Sequence, residues 1–253
     1  MGRVKTDYFA FLPLIFVAVF CTLVYLKNPS PASSSLYEPV GIVARATLAD
    51  TTLNIPSWSL FQTGQLWSLV SPAHKLSADF TPSLVATTVA HGPGADKVSS
   101  TTEGPLVSLV AAANAAGVKL MLSSAYRSAS DQQATYDSLL ALHGKDYVHE
   151  YVAAPGASEH QTGLAVDIAT VTHGCELDAN ACSLDAGGIE WLRVHAADYG
   201  FIERYPSGKQ SITGVAGEHW HYRYVGLPLA KALTKANMTL DEFVQQIATG
   251  YSH

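Results

Sequence analysis

Apolar and polar positions divide the chain unevenly. From Tyr8 to Leu26 it reads YFAFLPLIFVAVFCTLVYL, nineteen positions without a charge. At ~1.5 Å of rise per residue, a helix of that length nearly spans a ~30 Å hydrocarbon core. Tyr8 and Tyr25 stand near its ends, Arg3 and Lys5 precede it, and Lys27 follows it. The pattern predicts one transmembrane anchor over 8–26, a cytoplasmic tail over 1–7 and an extracytoplasmic remainder. A cleaved signal peptide is the alternative, disfavoured by the length of the run and the lack of a small-x-small site after it. Asn28-Pro29-Ser30-Pro31-Ala32-Ser33-Ser34-Ser35 is a flexible polar stretch, so 27–55 reads as a linker or extended arm.

Beyond Pro56 the pattern changes to that of a folded domain, 56–253. The Ala/Val/Leu-rich run from Leu106 to Gly117, with Thr101 or Thr102 as caps, predicts a helix stopped by glycine. A strand is expected over 118–124 and a second helix over 130–142, started by Ser130 or Asp131. Leu164–Ile168 reads as a short strand. In the run 189–200, Trp191, Leu192, His195 and Tyr199 fall on one helical side. Trp220–Val225 is β-prone, and Leu240–Ile247 is an amphipathic helix. Strands and helices mix without regular βαβ alternation, which predicts an α+β fold.

Composition narrows the function classes. The formal net charge is −6, so there is no basic footprint for nucleic acid. Hydrophobic residues make up 48% and charged residues 14% of the chain, enough apolar side chain for a core. Three cysteines are present, Cys21 in the apolar run and the pair Cys175 and Cys182 in a polar stretch. In an oxidising compartment that pair could close a small loop; its spacing matches no common zinc-finger pattern.

Two segments carry chemistry. Ser158-Glu159-His160-Gln161-Thr162-Gly163-Leu164-Ala165-Val166-Asp167 is a loop bearing His160 that runs into a strand bearing Asp167. Leu164, Val166 and Ile168 share one strand face, and Ala165 and Asp167 the other. Gly163 lets the loop turn back over Asp167. The second segment is Glu218-His219-Trp220-His221. His160, Asp167 and His221 together would form a three-ligand site with a fourth position left for water, as catalytic zinc requires. Glu218 would then be the general base. Taken singly, a histidine near an aspartate is more often an ordinary hydrogen-bonded pair, and Glu218 an ordinary surface charge.

Read jointly, Ser-x-His-x-x-Gly-x-Ala-x-Asp followed by Glu-x-Trp-His resembles the VanY-type D-alanyl-D-alanine carboxypeptidases, zinc peptidases with the hedgehog-like fold. Ser124-Ala125-Tyr126-Arg127-Ser128, Gln132, Trp191-Leu192 and Gly200-Phe201-Ile202-Glu203-Arg204-Tyr205-Pro206 add to the likeness, which runs from about Trp67 to Val225. The resemblance implies a small antiparallel sheet flanked by helices and one Zn2+ per chain on His160, Asp167 and His221. It implies Glu218 as catalytic base, and Arg127 on the substrate carbonyl or its carboxylate. Ser158 and Gln132 would bond the peptide or support those that do. Trp220 would wall the pocket or pack in the core. The substrate would be the peptidoglycan stem pentapeptide, losing its terminal D-alanine without a covalent enzyme intermediate. An L,D-carboxypeptidase acting on tetrapeptides uses the same set. A lysostaphin-like endopeptidase is disfavoured, since His160 and Asp167 lie seven apart rather than four. A non-catalytic peptidoglycan-binding module would have lost a ligand or the base, and all four are present.

Overall fold

In the computed structural model, residues 43–48, 51–56, 62–171 and 183–250 are described. The anchor expected over 8–26, Cys175 and Cys182 lie outside them. Among the described residues no helix is long and apolar enough to cross a membrane.

The first described elements form an antiparallel hairpin, β1 (Val43–Leu48) and β2 (Thr51–Pro56), within the segment read from sequence as arm or linker. Two short strands follow, β3 (Leu84–Ala86) and β4 (Lys97–Ser99), the second leading directly into α1 (Ser100–Ala115). Then come β5 (Leu120–Ser124), α2 (Ala129–His143), α3 (Lys145–Tyr151) and β6 (Ala165–Thr170). The last third holds α4 (Ala186–His195), β7 (Phe201–Tyr205), α5 (Gln210–Thr213), β8 (Glu218–Tyr224), α6 (Leu227–Ala236) and α7 (Leu240–Gly250). The central sheet has the order β5-β6-β8-β7, every neighbour antiparallel. The fold is therefore α+β, with a small antiparallel sheet between helices.

Both early helices start sooner than their apolar runs suggest. Ser99, not Thr101 or Thr102, caps α1, its side chain accepting from Thr101 N–H. Thr102 instead faces inward and donates to the Gly163 carbonyl at 3.2 Å. Pro105 sits in the second turn and, lacking an N–H, gives up one ladder bond there. Ser128, not Ser130 or Asp131, caps α2 by accepting from Asp131 N–H at 3.1 Å. Helix α7 opens with a reciprocal cap: Thr239 Oγ1 accepts from Glu242 N–H, and the Glu242 carboxylate accepts from Thr239 N–H.

The two faces of the sheet have different tasks. Leu120, Leu122, Val166, Ile168, Phe201 and Tyr222 pack one face against Leu106, Leu109 and Leu192 of α1 and α4. Each such buried aliphatic side chain contributes ~1.5–3 kcal/mol of transfer free energy. On the opposite side, Ile202 and Val225 pack with Leu229, Leu233, Phe243 and Ile247 of α6 and α7. Strand alternation sends Asp167 and His221 to that second side, away from Val166, Ile168 and Tyr222.

Two irregularities shape the sheet at this point. The β5–β6 register slips between Leu122 and Ser124, so Ser124 comes opposite Asp167. The β7–β8 register slips between Glu203 and Tyr205, where β8 takes up extra residues before His221. Such bulges re-aim side chains beside functional sites.

Candidate metal centre and catalytic site

His160 lies in a 3₁₀ turn, Glu159–Thr162, that ends at Gly163 in the left-handed conformation, φ 65°. A Cβ on Gly163 would stand 2.7 Å from the Ser99 nitrogen. The backbone of β4 thus packs where only glycine leaves room, and the turn brings His160 back over β6. The Nδ1 of His160 lies 2.7 Å from the Ala125 carbonyl. A carbonyl can only accept, so Nδ1 carries the proton and Nε2 keeps its lone pair. That Nε2 lies 3.4 Å from Asp167 Oδ2.

Asp167 and His221 are register partners on β6 and β8. Asp167 Oδ1 lies 3.0 Å from His221 Nδ1. One ligand atom from each of His160, Asp167 and His221 falls within 4.8 Å of the others. Two imidazole nitrogens and one carboxylate oxygen suit catalytic zinc, with the remaining position free. The fixed tautomer of His160 fits the same purpose, since metal-binding histidines commonly donate their other N–H to a carbonyl or carboxylate. Glu218, at the start of β8, places Oε2 3.8 Å from His221 Nδ1.

The charges are strongly interdependent. Burial opposes ionisation of Asp167, but His160 and His221 outweigh it and hold its carboxyl well below the usual carboxylate range. Burial likewise opposes a charged His221, but Asp167 and Glu159 push it up to about 9. Burial raises Glu218; His221 opposes that, while Asp167 and Glu159 add to it. A carboxylate with a raised pKa, beside the ligand cluster, has the basicity a general base needs.

Arg127 stands at the end of the β5–α2 loop, its N–H donating to the His160 carbonyl at 3.2 Å. Its guanidinium donates to Ser124 Oγ and Gln132 Oε1, each at 2.9 Å, leaving further N–H groups for a ligand. Gln132 is buried, and its Nε2 donates to the Ala153 carbonyl at 2.7 Å. Both ends of that amide are engaged inside the protein, so Gln132 orients Arg127. Ser158 is buried immediately before the 3₁₀ turn. Trp220 is 45% exposed and is no core aromatic. His219 turns the other way, 2.7 Å from Glu203 Oε1.

Sequence reasoning attached no role to three buried charges beside the site. Glu159 accepts from Arg204 Nε at 2.8 Å and pairs with Arg223 Nη1 at 2.9 Å. Arg204 also grips Asp241 at the start of α7, and Arg223 reaches the Leu66 and Ser68 carbonyls. Burial disfavours an ionised Glu159, yet Arg204 and Arg223 overcome it and keep the carboxyl well below its ordinary range. The available signal was an arginine framed by Phe201, Ile202, Tyr205 and Pro206, a charge among core-type residues. Its partner lies 45 residues away in sequence.

A two-histidine, one-aspartate centre on an antiparallel sheet, with a carboxylate beside it, defines a metallopeptidase-type site. Residues 95–227 match the VanY family, described as D-alanyl-D-alanine carboxypeptidase, and the chain belongs to that family. It is 42% identical over 136 residues to the putative carboxypeptidase YodJ of Bacillus subtilis, covering 54% of this chain and 49% of that one. The chain spans between 37% and 65% of the length of the curated relatives it matches. Among solved structures it is similar to the LdcB LD-carboxypeptidase, with TM-score 0.64 and 29% identity, over 80% of this chain and 94% of that one. It is also similar to a vancomycin-resistance D,D-pentapeptidase VanY in complex with Zn(II), with TM-score 0.60 and 32% identity, over 70% of this chain and 98% of that one.

Proposed function

We propose that the protein is a zinc-dependent D,D-carboxypeptidase that releases the terminal D-alanine from peptidoglycan stem pentapeptides. The observation that carries this reading is the convergence of His160, Asp167 and His221 within 4.8 Å beside Glu218. The zinc complex of the similar D,D-pentapeptidase supports the choice of metal. Bound there, zinc supplies Lewis acidity, which polarises a carbonyl and makes water a nucleophile at neutral pH. Glu218 takes the proton of the attacking water and passes it to the amide nitrogen as the C–N bond breaks. Arg127, aimed by Ser124 and Gln132, pairs with the substrate carboxylate or with the carbonyl oxygen as it gains charge. Ser158 bonds the peptide backbone, and Trp220 forms a wall of the cleft. No serine or cysteine nucleophile is needed, so chelators abolish turnover and β-lactams leave it intact.

The likeness to LdcB over 80% of the chain favours a second reading, cleavage of the tetrapeptide by an L,D-carboxypeptidase with the same catalytic set. The apolar run 8–26, read as an anchor, would put the domain outside the cytoplasmic membrane, facing the wall. Muramyl pentapeptide and muramyl tetrapeptide, offered separately with zinc and followed by mass, separate the two. Loss of one alanine from the pentapeptide alone is the expected result, and loss from the tetrapeptide alone replaces the first reading with the second.

A further inference from the structure

Beneath the metal ligands lies a pair of buried polar atoms with no other use. His221 Nε2 and Glu159 Oε2 are both fully enclosed, neither has a hydrogen-bond partner, and they face each other at 3.8 Å. The other oxygen of Glu159 is already held by Arg204 at 2.8 Å and Arg223 at 2.9 Å, so the carboxylate cannot swing away. The ring of Tyr205, 5.1 Å from that of His221, covers the imidazole. A neutral imidazole carries one proton. If Nδ1 faces a metal together with Asp167, the remaining N–H is at Nε2 and points at Glu159.

We propose that Glu159 is a positioning residue for the metal centre: its pinned carboxylate, 3.8 Å from Nε2, favours the His221 proton on Nε2 and so presents the Nδ1 lone pair to the ion. Arg204 also pairs with Asp241 on α7, so its guanidinium is tied on both sides. The inference rests on the reading of His221 as a metal ligand. Carboxylate partners of this kind are worth ~10–100-fold in metal affinity.

The test is the zinc Kd of the full-length protein in detergent, stripped of metal and titrated against a competing chelator. Glu159→Gln keeps the shape of the side chain and removes its charge; its zinc affinity is expected to fall ~10–100-fold. Asp241→Asn disturbs the same Arg204 network on its far side and is expected to lower the melting temperature while leaving zinc affinity unchanged. Equal losses of affinity in both variants, or none in Glu159→Gln, overturn the inference. Histidine side-chain 15N NMR of the zinc-loaded wild type is independent of whether either variant folds. A proton on Nε2 of His221 with metal on Nδ1 supports the inference, and the reverse overturns it. A wild type that binds no zinc overturns the metal reading and this inference together. One zinc per chain in the wild type with an unaltered Glu159→Gln overturns this inference alone.

Discussion

Asp167 and His221 sit opposite each other on adjacent antiparallel strands, with Oδ1 and Nδ1 3.0 Å apart. Their separation is thus set by the sheet ladder. His160 is added from outside the sheet by a turn, and depends on Gly163 and on the Ala125 carbonyl for its placement. The two halves of the site therefore differ in how they fail.

Gly163→Ala is expected to displace His160 rather than Asp167 or His221. The added Cβ meets the Ser99 nitrogen, whose N–H donates to the Gly163 carbonyl at 2.9 Å, so relief breaks a backbone bond. A loss of ~1–3 kcal/mol in stability, together with weaker zinc binding, is predicted. Urea unfolding and chelator competition measure the two effects. Unchanged stability would show that the turn has slack the packing does not indicate.

Glu218→Ala should leave zinc content at one per chain and reduce kcat by ~10²–10⁴, the usual worth of a positioned general base. Loss of zinc alongside activity would instead make Glu218 a ligand.

Arg127→Lys replaces a planar fork with a point charge and is predicted to lower kcat/KM by ~10²-fold. Gln132→Met, which frees Arg127 from one of its two guides, should cost ~10-fold by the same route, without altering zinc affinity. If Gln132→Met is silent, Ser124 alone suffices to aim the guanidinium.

The acid limb of the pH–rate profile should reflect Glu218. Burial raises its pKa in the metal-free site, and catalysis needs the ionised form, so kcat/KM falls as pH drops through the Glu218 pKa of the zinc-loaded protein. Metal-free protein should behave differently. His221 is pushed up to about 9 from 6.5, so its contribution to stability is complete below pH 6.5 and is lost as pH rises through about 9. Urea midpoints of stripped protein between pH 6 and 9.5 check the sign; a midpoint that rises across that range contradicts it.

Legibility in the sequence followed the range of the interactions. The faces of Leu164–Ile168 could be read because strand alternation is local, and Val166 and Ile168 are buried on the side away from Asp167. Helix α7 was legible from its apolar spacing, and Thr239-x-x-Glu242 is its capping box. The starts of α1 and α2 were misplaced by one to several residues because serines just upstream do the capping. Strand β7 and helices α3 and α6 were not singled out, although α6 carries a readable pattern: Pro228 near its start, Leu229, Ala230, Ala232 and Leu233 on its buried side, and Asn237 at its end. The pairing of Glu159 with Arg204 and Arg223 was hidden for a different reason. A buried charge is tolerable only when paired, and the pairing is formed by three segments distant in sequence.

The most direct test of the central claim is turnover of a muramyl pentapeptide by the full-length protein, measured after metal removal, after zinc is restored, and in Asp167→Asn. The account predicts no cleavage without metal, loss of one alanine when zinc returns, and neither tight zinc binding nor cleavage in Asp167→Asn. Cleavage that survives metal removal, or an Asp167→Asn protein that binds zinc and turns over normally, would contradict it.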